Sequence, residues 1–217
     1  LPALPIVVLL GIVFFYPVLS LLSISVTEPQ LGLHHYEKLL ETTYLTVIWR
    51  TTWIAFVVTA LTALVGYPLA FYLASAPPQA AQAAMLALFI PFWASILVRT
   101  YGLMVIVGRT GVLNNALIAL GIIDRPIQFL FNTWVVVAAM VQILLPFFVL
   151  PLYSVLKTID PNLTRAAQGL GAPPLKIFTK VYLPLSLPGV YAGSLIVFVF
   201  SFGFFIVPSL LGGRRDV

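Results

Sequence analysis

Residues 160–188 read DPNLTRAAQGLGAPPLKIFTKVYLPLSLP, the longest run in this chain of 217 residues that hydrocarbon cannot accommodate. Asp160 followed by Pro161 marks a helix start: a side-chain acceptor at the cap, then a ring already set to helical φ. Leu163, Ala166, Ala167 and Leu170 fall at i, i+3, i+4 and i+7, an apolar stripe on one short helix. Gly171 stands where a left-handed residue closes such a helix. Pro173 and Pro174 open a second helix with a stripe of Leu175, Phe178 and Tyr182, and Pro184 is expected to end it. Lys176 and Lys180, four apart, share another face. The reading is a helix–turn–helix outside the membrane; an ordinary amphipathic loop lying on the bilayer has the same pattern.

On either side the chain turns apolar. It is 61% hydrophobic and 8% charged, against about a quarter charged in soluble domains, so it is an all-helical membrane protein. The apolar runs are continuous and not alternating, which argues against a β-barrel. With no cysteine there is neither a disulfide framework nor thiol chemistry. The net charge of +5 fits loops beside lipid headgroups and makes no case for nucleic acid.

A span needs about 20 largely apolar residues. Five are expected, at about 4–26, 51–73, 83–107, 134–156 and 185–207, in a single domain whose loop 158–184 joins the last two. A further short apolar helix is expected at Leu113–Leu120, lying against the surface. Five spans place the two ends on opposite faces. Charge does not fix the orientation: Lys157, Arg165, Lys176 and Lys180 lie on the loop side. Lys38, Arg50, Arg109, Arg125, Arg214 and Arg215 lie on the other, so the positive-inside rule leans slightly against a cytoplasmic loop.

The segment RAAQGLGAPPLKIFTKVYLPLSLPGV resembles the signature loop of permease subunits in bacterial binding-protein-dependent ABC importers. The family pattern is Glu-Ala-Ala, a glycine, then aliphatic-x-Leu-Pro; Ala166, Ala167, Gly171, Val181, Leu183 and Pro184 match it, and Arg165 stands at the glutamate position. The strings PFWASILVRTYG, GVLNNALIALGIIDRPIQFLF and ILLPFFVLPLYSVL are similar to the spermidine/putrescine branch. The resemblance implies a polytopic helical bundle of the MetI-like permease fold, with a sixth span expected beyond residue 217. It implies a multi-pass protein of the bacterial inner membrane, with the loop cytoplasmic and docked into a groove on an ATPase subunit. The implied partners are a second permease subunit, two ATPase subunits, a periplasmic substrate-binding protein and membrane lipid. ATP and Mg2+ would be bound by the ATPases and no cofactor by this chain. Arg165, Ala166, Ala167, Gly171, Lys176, Phe178, Val181, Leu183 and Pro184 are the coupling residues so implied.

No enzyme reads out of the residues themselves: there is no phosphate-cradling Gly-rich loop, no metal-ligand cluster and no nucleophile elbow. His34 and His35 read as solvated loop histidines. All six acids, Glu28, Glu37, Glu41, Asp124, Asp160 and Asp216, lie outside the spans. An ion-coupled carrier generally needs an ionisable or cation-coordinating group at mid-membrane, so a separate energy source is favoured. Trp93, Arg99, Tyr101, Gln142, Ser201, Phe202 and Phe204 are the candidates for pathway or gate. For Gln142 and Ser201 the plainer expectation is an interhelical hydrogen bond worth about 0.6 kcal/mol. A third span ending near Val98 puts Arg99 at the interface, its guanidinium snorkelling out, and that reading is preferred. A span continuing to Val107 would put it about 6 Å past the middle, facing a wet cavity or a partner.

The expectation is therefore an ABC-importer permease for a small solute, polyamine by resemblance. Iron, phosphonate, opine or amino-acid-like solutes are alternatives within the superfamily. A self-contained carrier or channel, and a membrane scaffold without a pathway, are the rivals outside it.

Overall fold

The computed structural model describes residues 4–27, 40–204 and 206–212. His34 and His35, together with Phe205, lie outside the described residues. Two compact units are distinguished, Leu1–Arg50 and Thr51–Val217. In the first, α1 (Leu4–Thr27) is a continuous apolar helix with Pro17 inside it. Its large side chains are exposed, among them Phe14, Phe15 and Leu19, as suits a helix whose solvent is lipid.

The remaining elements are α2 (Thr42–Ser75), α3 (Pro78–Phe89), a 3-10 turn (Ile90–Trp93), α4 (Ile96–Val107) and α5 (Val112–Ala119). After these come α6 (Thr133–Thr158), α7 (Pro161–Gly169), α8 (Pro174–Ile177), a π-helical turn (Phe178–Tyr182), α9 (Leu183–Phe202) and α10 (Ile206–Leu211). Among the described residues, four stretches are long and apolar enough to cross a membrane: Thr42–Ser75, Ile96–Ala119, Thr133–Thr158 and Pro174–Phe202. A shorter apolar helix covers Gly11–Thr27.

The third expected span is not one helix. Pro91 cannot donate to the ladder, and the chain passes from α3 through the 3-10 turn to extended backbone at Ala94 (ψ 141°) before α4 begins. Ile96–Ala119 is likewise interrupted, because Gly108 (ψ 163°) and Gly111 (ψ 168°) are extended. Irregular backbone at membrane depth is tolerated only where it lines a cavity or is buried in protein.

The core is built on α6. Val136, Met140, Leu144, Phe148 and Leu152 are fully buried or nearly so, with Val58 and Leu73 of α2 and Val197 of α9 packed into the same cluster. On α9, Gly189, Gly193, Val197 and Ser201 recur every fourth residue and are all buried. A Cβ on Gly189 would lie 2.9 Å from the Cα of Leu152, and one on Gly193 would lie 2.8 Å from the carbonyl oxygen of Phe148. This small-residue stripe lets α9 press backbone to backbone on α6, the packing membrane helices use where no hydrophobic drive separates lipid from leucine.

Candidate functional site

The loop that leaves α6 is built almost wholly from local signals. Asp160 caps α7, its Oδ1 accepting the Asn162 N–H at 2.8 Å. At the other end Gly171 adopts φ +76°. Its N–H donates to the Gln168 carbonyl at 2.9 Å and the Ala172 N–H to that of Ala167 at 3.1 Å. These two bonds form a Schellman closure, and the left-handed residue it needs is the glycine. Pro174 then starts α8.

Pro184 does not end the second helix, contrary to the expectation from sequence. The chain runs on from α8 through the π-helical turn into α9, and Pro184 and Pro188 sit inside the continuous rod. The Leu183 N–H reaches back to Phe178 O, one residue further than in an α-helix. A proline ring collides with the carbonyl four residues before it, and the widened turn makes room for Pro184. The loop is therefore one piece with the last long helix.

The π turn also splits the expected stripe of Leu175, Phe178 and Tyr182. Leu175 is 75% exposed, whereas Phe178 packs edge-to-face on Tyr67 and Phe71, and Tyr182 on Phe71 at 5.1 Å. Tyr182 also accepts a hydrogen bond from Thr164 Oγ1 at 3.1 Å, tying α7 to the same cluster. The result is a knob clamped to α2 by aromatic rings, with Leu163, Leu170 and Leu175 on its outer surface. Arg165, Ala166, Lys176, Lys180, Leu183 and Pro184 are exposed as well, with Ala167 and Val181 half-buried. Among the described residues the Arg165 side chain makes no hydrogen bond or ion pair.

The second region lies where the third span breaks. Arg99, Gln142, Phe92 and Pro146 line one cavity of about 180 Å³. Arg99, Phe147, Phe200 and Phe204 line a second, of about 350 Å³, that shares Phe92, Arg99 and Ile143 with the first. The rings of Phe92, Phe147 and Phe200 stand edge-to-face in series, at 5.6 Å and 4.9 Å. The guanidinium of Arg99 lies 5.7 Å from the Phe92 ring centroid, and its Nε is buried without a hydrogen-bond partner.

Arg99 is half-buried, with its Nε turned into the protein. Gln142, which shares its cavity, sits about 14 Å along α6 from Thr133 at about 1.5 Å per residue, well inside a helix of 26 residues. Of the other pathway candidates, Phe204 joins Arg99, whereas Trp93, Tyr101 and Phe202 are exposed and line neither cavity. The hydrogen bonds expected of Gln142 and Ser201 are not made among the described residues: Ser201 is buried with its Oγ unpartnered, and Gln142 is exposed. Phe92, Phe147 and Phe200 escaped sequence reading because aromatic residues in an apolar run carry no sign of facing one another. Tyr67, which anchors the clamp, was hidden in the same way. Asn114, fully buried, bonds Gly108 O and both backbone groups of Ile127, and so fixes α5 and the segment after it.

Residues 66–217 match the family model described as "Binding-protein-dependent transport system inner membrane component". The chain is 38% identical over 185 residues to the spermidine/putrescine transport system permease protein PotB of Escherichia coli (strain K12), covering 85% of this chain and 67% of that protein. It is 37% identical to PotB of Haemophilus influenzae, over 84% of this chain and 64% of that one. It is 33% identical to the inner membrane ABC transporter permease protein YdcU of E. coli, over 93% and 71%. The chain thus spans about two thirds of the length of the PotB proteins it matches. Among solved structures, a chain of a bacterial ABC transporter that imports alginate superimposes with a TM-score of 0.78 at 19% identity, over 99% of this chain and 77% of that one. That likeness shows the shared fold.

Proposed function

The chain belongs to the family of binding-protein-dependent transport system inner membrane components, and on that premise we propose that it forms, with a second permease subunit, the pathway by which an ABC importer admits a polyamine of the spermidine/putrescine kind. Family membership makes it a transport component and not an enzyme. ATP hydrolysis falls to two partner ATPase subunits, which bind ATP and Mg2+, and a periplasmic binding protein delivers the solute.

The observation that carries the mechanism is the knob of α7 and α8. It is stiffened by a cap, a Schellman closure and prolines, is continuous with α9, and is clamped on α2 by Phe178 and Tyr182. Its outer leucines are exposed among the described residues, so they suit a hydrophobic groove on the ATPase subunit. Movement imposed on a rigid knob is passed to α2 and α9 together, because neither the continuous rod nor the ring cluster has slack. The loop end faces the cytoplasm in this reading. The polyamine assignment rests on the PotB relatives and on the identity shared over most of the chain.

Uptake of radiolabelled spermidine by cells carrying the assembled transporter tests it, with unlabelled putrescine and an unrelated amino acid as competitors. Saturable, ATP-dependent uptake inhibited by putrescine and not by the amino acid is the expected result. Uptake insensitive to putrescine would remove the solute assignment and leave the permease assignment standing.

A further inference from the structure

The transport reading gives Arg99 no task. Its Nε is buried without a partner, the nearby group it meets is the Phe92 ring, and no ion pair to it occurs among the described residues. Its two cavities are otherwise walled mainly by apolar and aromatic side chains, with Gln142 the other polar group. A cation with a desolvated nitrogen among apolar walls is costly and is normally paired. Arg99 also stands in the first turn of α4, whose N-cap Ser95 makes no side-chain cap bond. The partial positive charge of a helix N-terminus disfavours a cation there and favours an anion, so helix and side chain call for the same counter-charge.

We infer that Arg99 receives a carboxylate from the companion permease subunit, an inference that rests on the two-permease reading above. A planar guanidinium takes a carboxylate in a bidentate pair, and removal from water strengthens that bond. Other occupants fit less well. A lipid phosphate sits at headgroup level, whereas the cavity lies about 14 Å down α6 from Thr133. A polyamine is itself cationic and is repelled. Beside Arg99 the half-exposed Phe92 ring (43%) lines both cavities, and the next residue, Trp93, is 90% exposed, aromatic side chains of the kind enriched where subunits meet. An acidic side chain on a neighbouring helix meets both the charge and the apolar rim.

The test uses the assembled transporter in phosphatidylcholine vesicles. In an R99K variant, a water-soluble carbodiimide joins the new amine only to a carboxylate already in contact with it. An amide between position 99 and an Asp or Glu of the companion, mapped by peptide mass spectrometry and missing from R99Q, is the expected result. The native complex gives a second reading should R99K assemble poorly. An arginine-selective dicarbonyl should label exposed Arg109 but leave Arg99 unmodified without added solute. Labelling of Arg99, protection that appears only with anionic lipid or added solute, or a cross-link confined to this chain would each overturn the pairing. If the companion co-purifies and no cross-link forms, the pairing alone falls; if no companion co-purifies, the two-permease reading falls with it.

Discussion

The hydroxyl of Tyr67 lies 2.8 Å from that of Ser186, joining the last third of α2 to the first turns of α9. Ser186 donates its own proton to the Leu183 carbonyl at 3.0 Å, so Tyr67 is the donor in the pair. Removing this bond should cost about 0.6 kcal/mol, the usual worth of an interhelical hydrogen bond in a membrane protein. Y67F keeps the ring against Phe178 and should fold normally, with a small fall in thermal stability in detergent. Y67A also removes the ring contact, and should lower solute moved per ATP hydrolysed more than it lowers folding. Equal transport efficiency in Y67F and Y67A would show that the clamp does not transmit motion.

The approach of Gly193 to Phe148 gives a sharper prediction. A Cβ at Gly193 would meet the Phe148 carbonyl oxygen and Cα at 2.8 and 3.1 Å, and backbone cannot swing aside. At Gly66 the nearest atoms are instead ring carbons of Phe148 and a methyl of Leu145. Both G66A and G193A should destabilise, by about 1–3 kcal/mol as overpacking does. Adding F148L should relieve G66A and leave G193A unrelieved, a difference readable by thermal unfolding in the two double-mutant cycles.

At Gly171 the constraint is conformational. Nothing lies within 4 Å of a Cβ placed there, yet φ is +76°. A β-branched residue should strain the turn by about 1–2 kcal/mol, whereas asparagine should be tolerated. G171V is therefore expected to lose uptake while still reaching the membrane, and G171N to retain it. Equal uptake in the two would count against a rigid turn.

These cases also show what the sequence could disclose. The cap at Asp160 and the turn at Gly171 were legible because each is decided within a few residues. The helix expected at Leu113–Leu120 is found at Val112–Ala119, for the same reason. Pro184 misled because its cost is absorbed by a π turn opening at Phe178, a choice between two ladders that no residue type announces. The break at Pro91 was visible as a proline, but an apolar window averages over it, and the third span read as a single helix. Arg99 was legible as an anomaly but its cavity was not, because its neighbour Gln142 comes from a helix some forty positions on.

The central claim is that the knob plugs into an ATPase subunit through its outer leucines, Leu170 (89% exposed) and Leu175 (75% exposed). Neither supports the fold, so L170S and L175S should leave the unfolding temperature unchanged. Burying a leucine in a partner is worth about 1.5 kcal/mol or more, so each change should weaken ATPase binding about tenfold. The direct measurement is the affinity of the purified ATPase for the reconstituted permease pair. A loss of about a hundredfold in the double variant, with folding intact, is the predicted result, and affinity equal to that of the native pair would contradict the account.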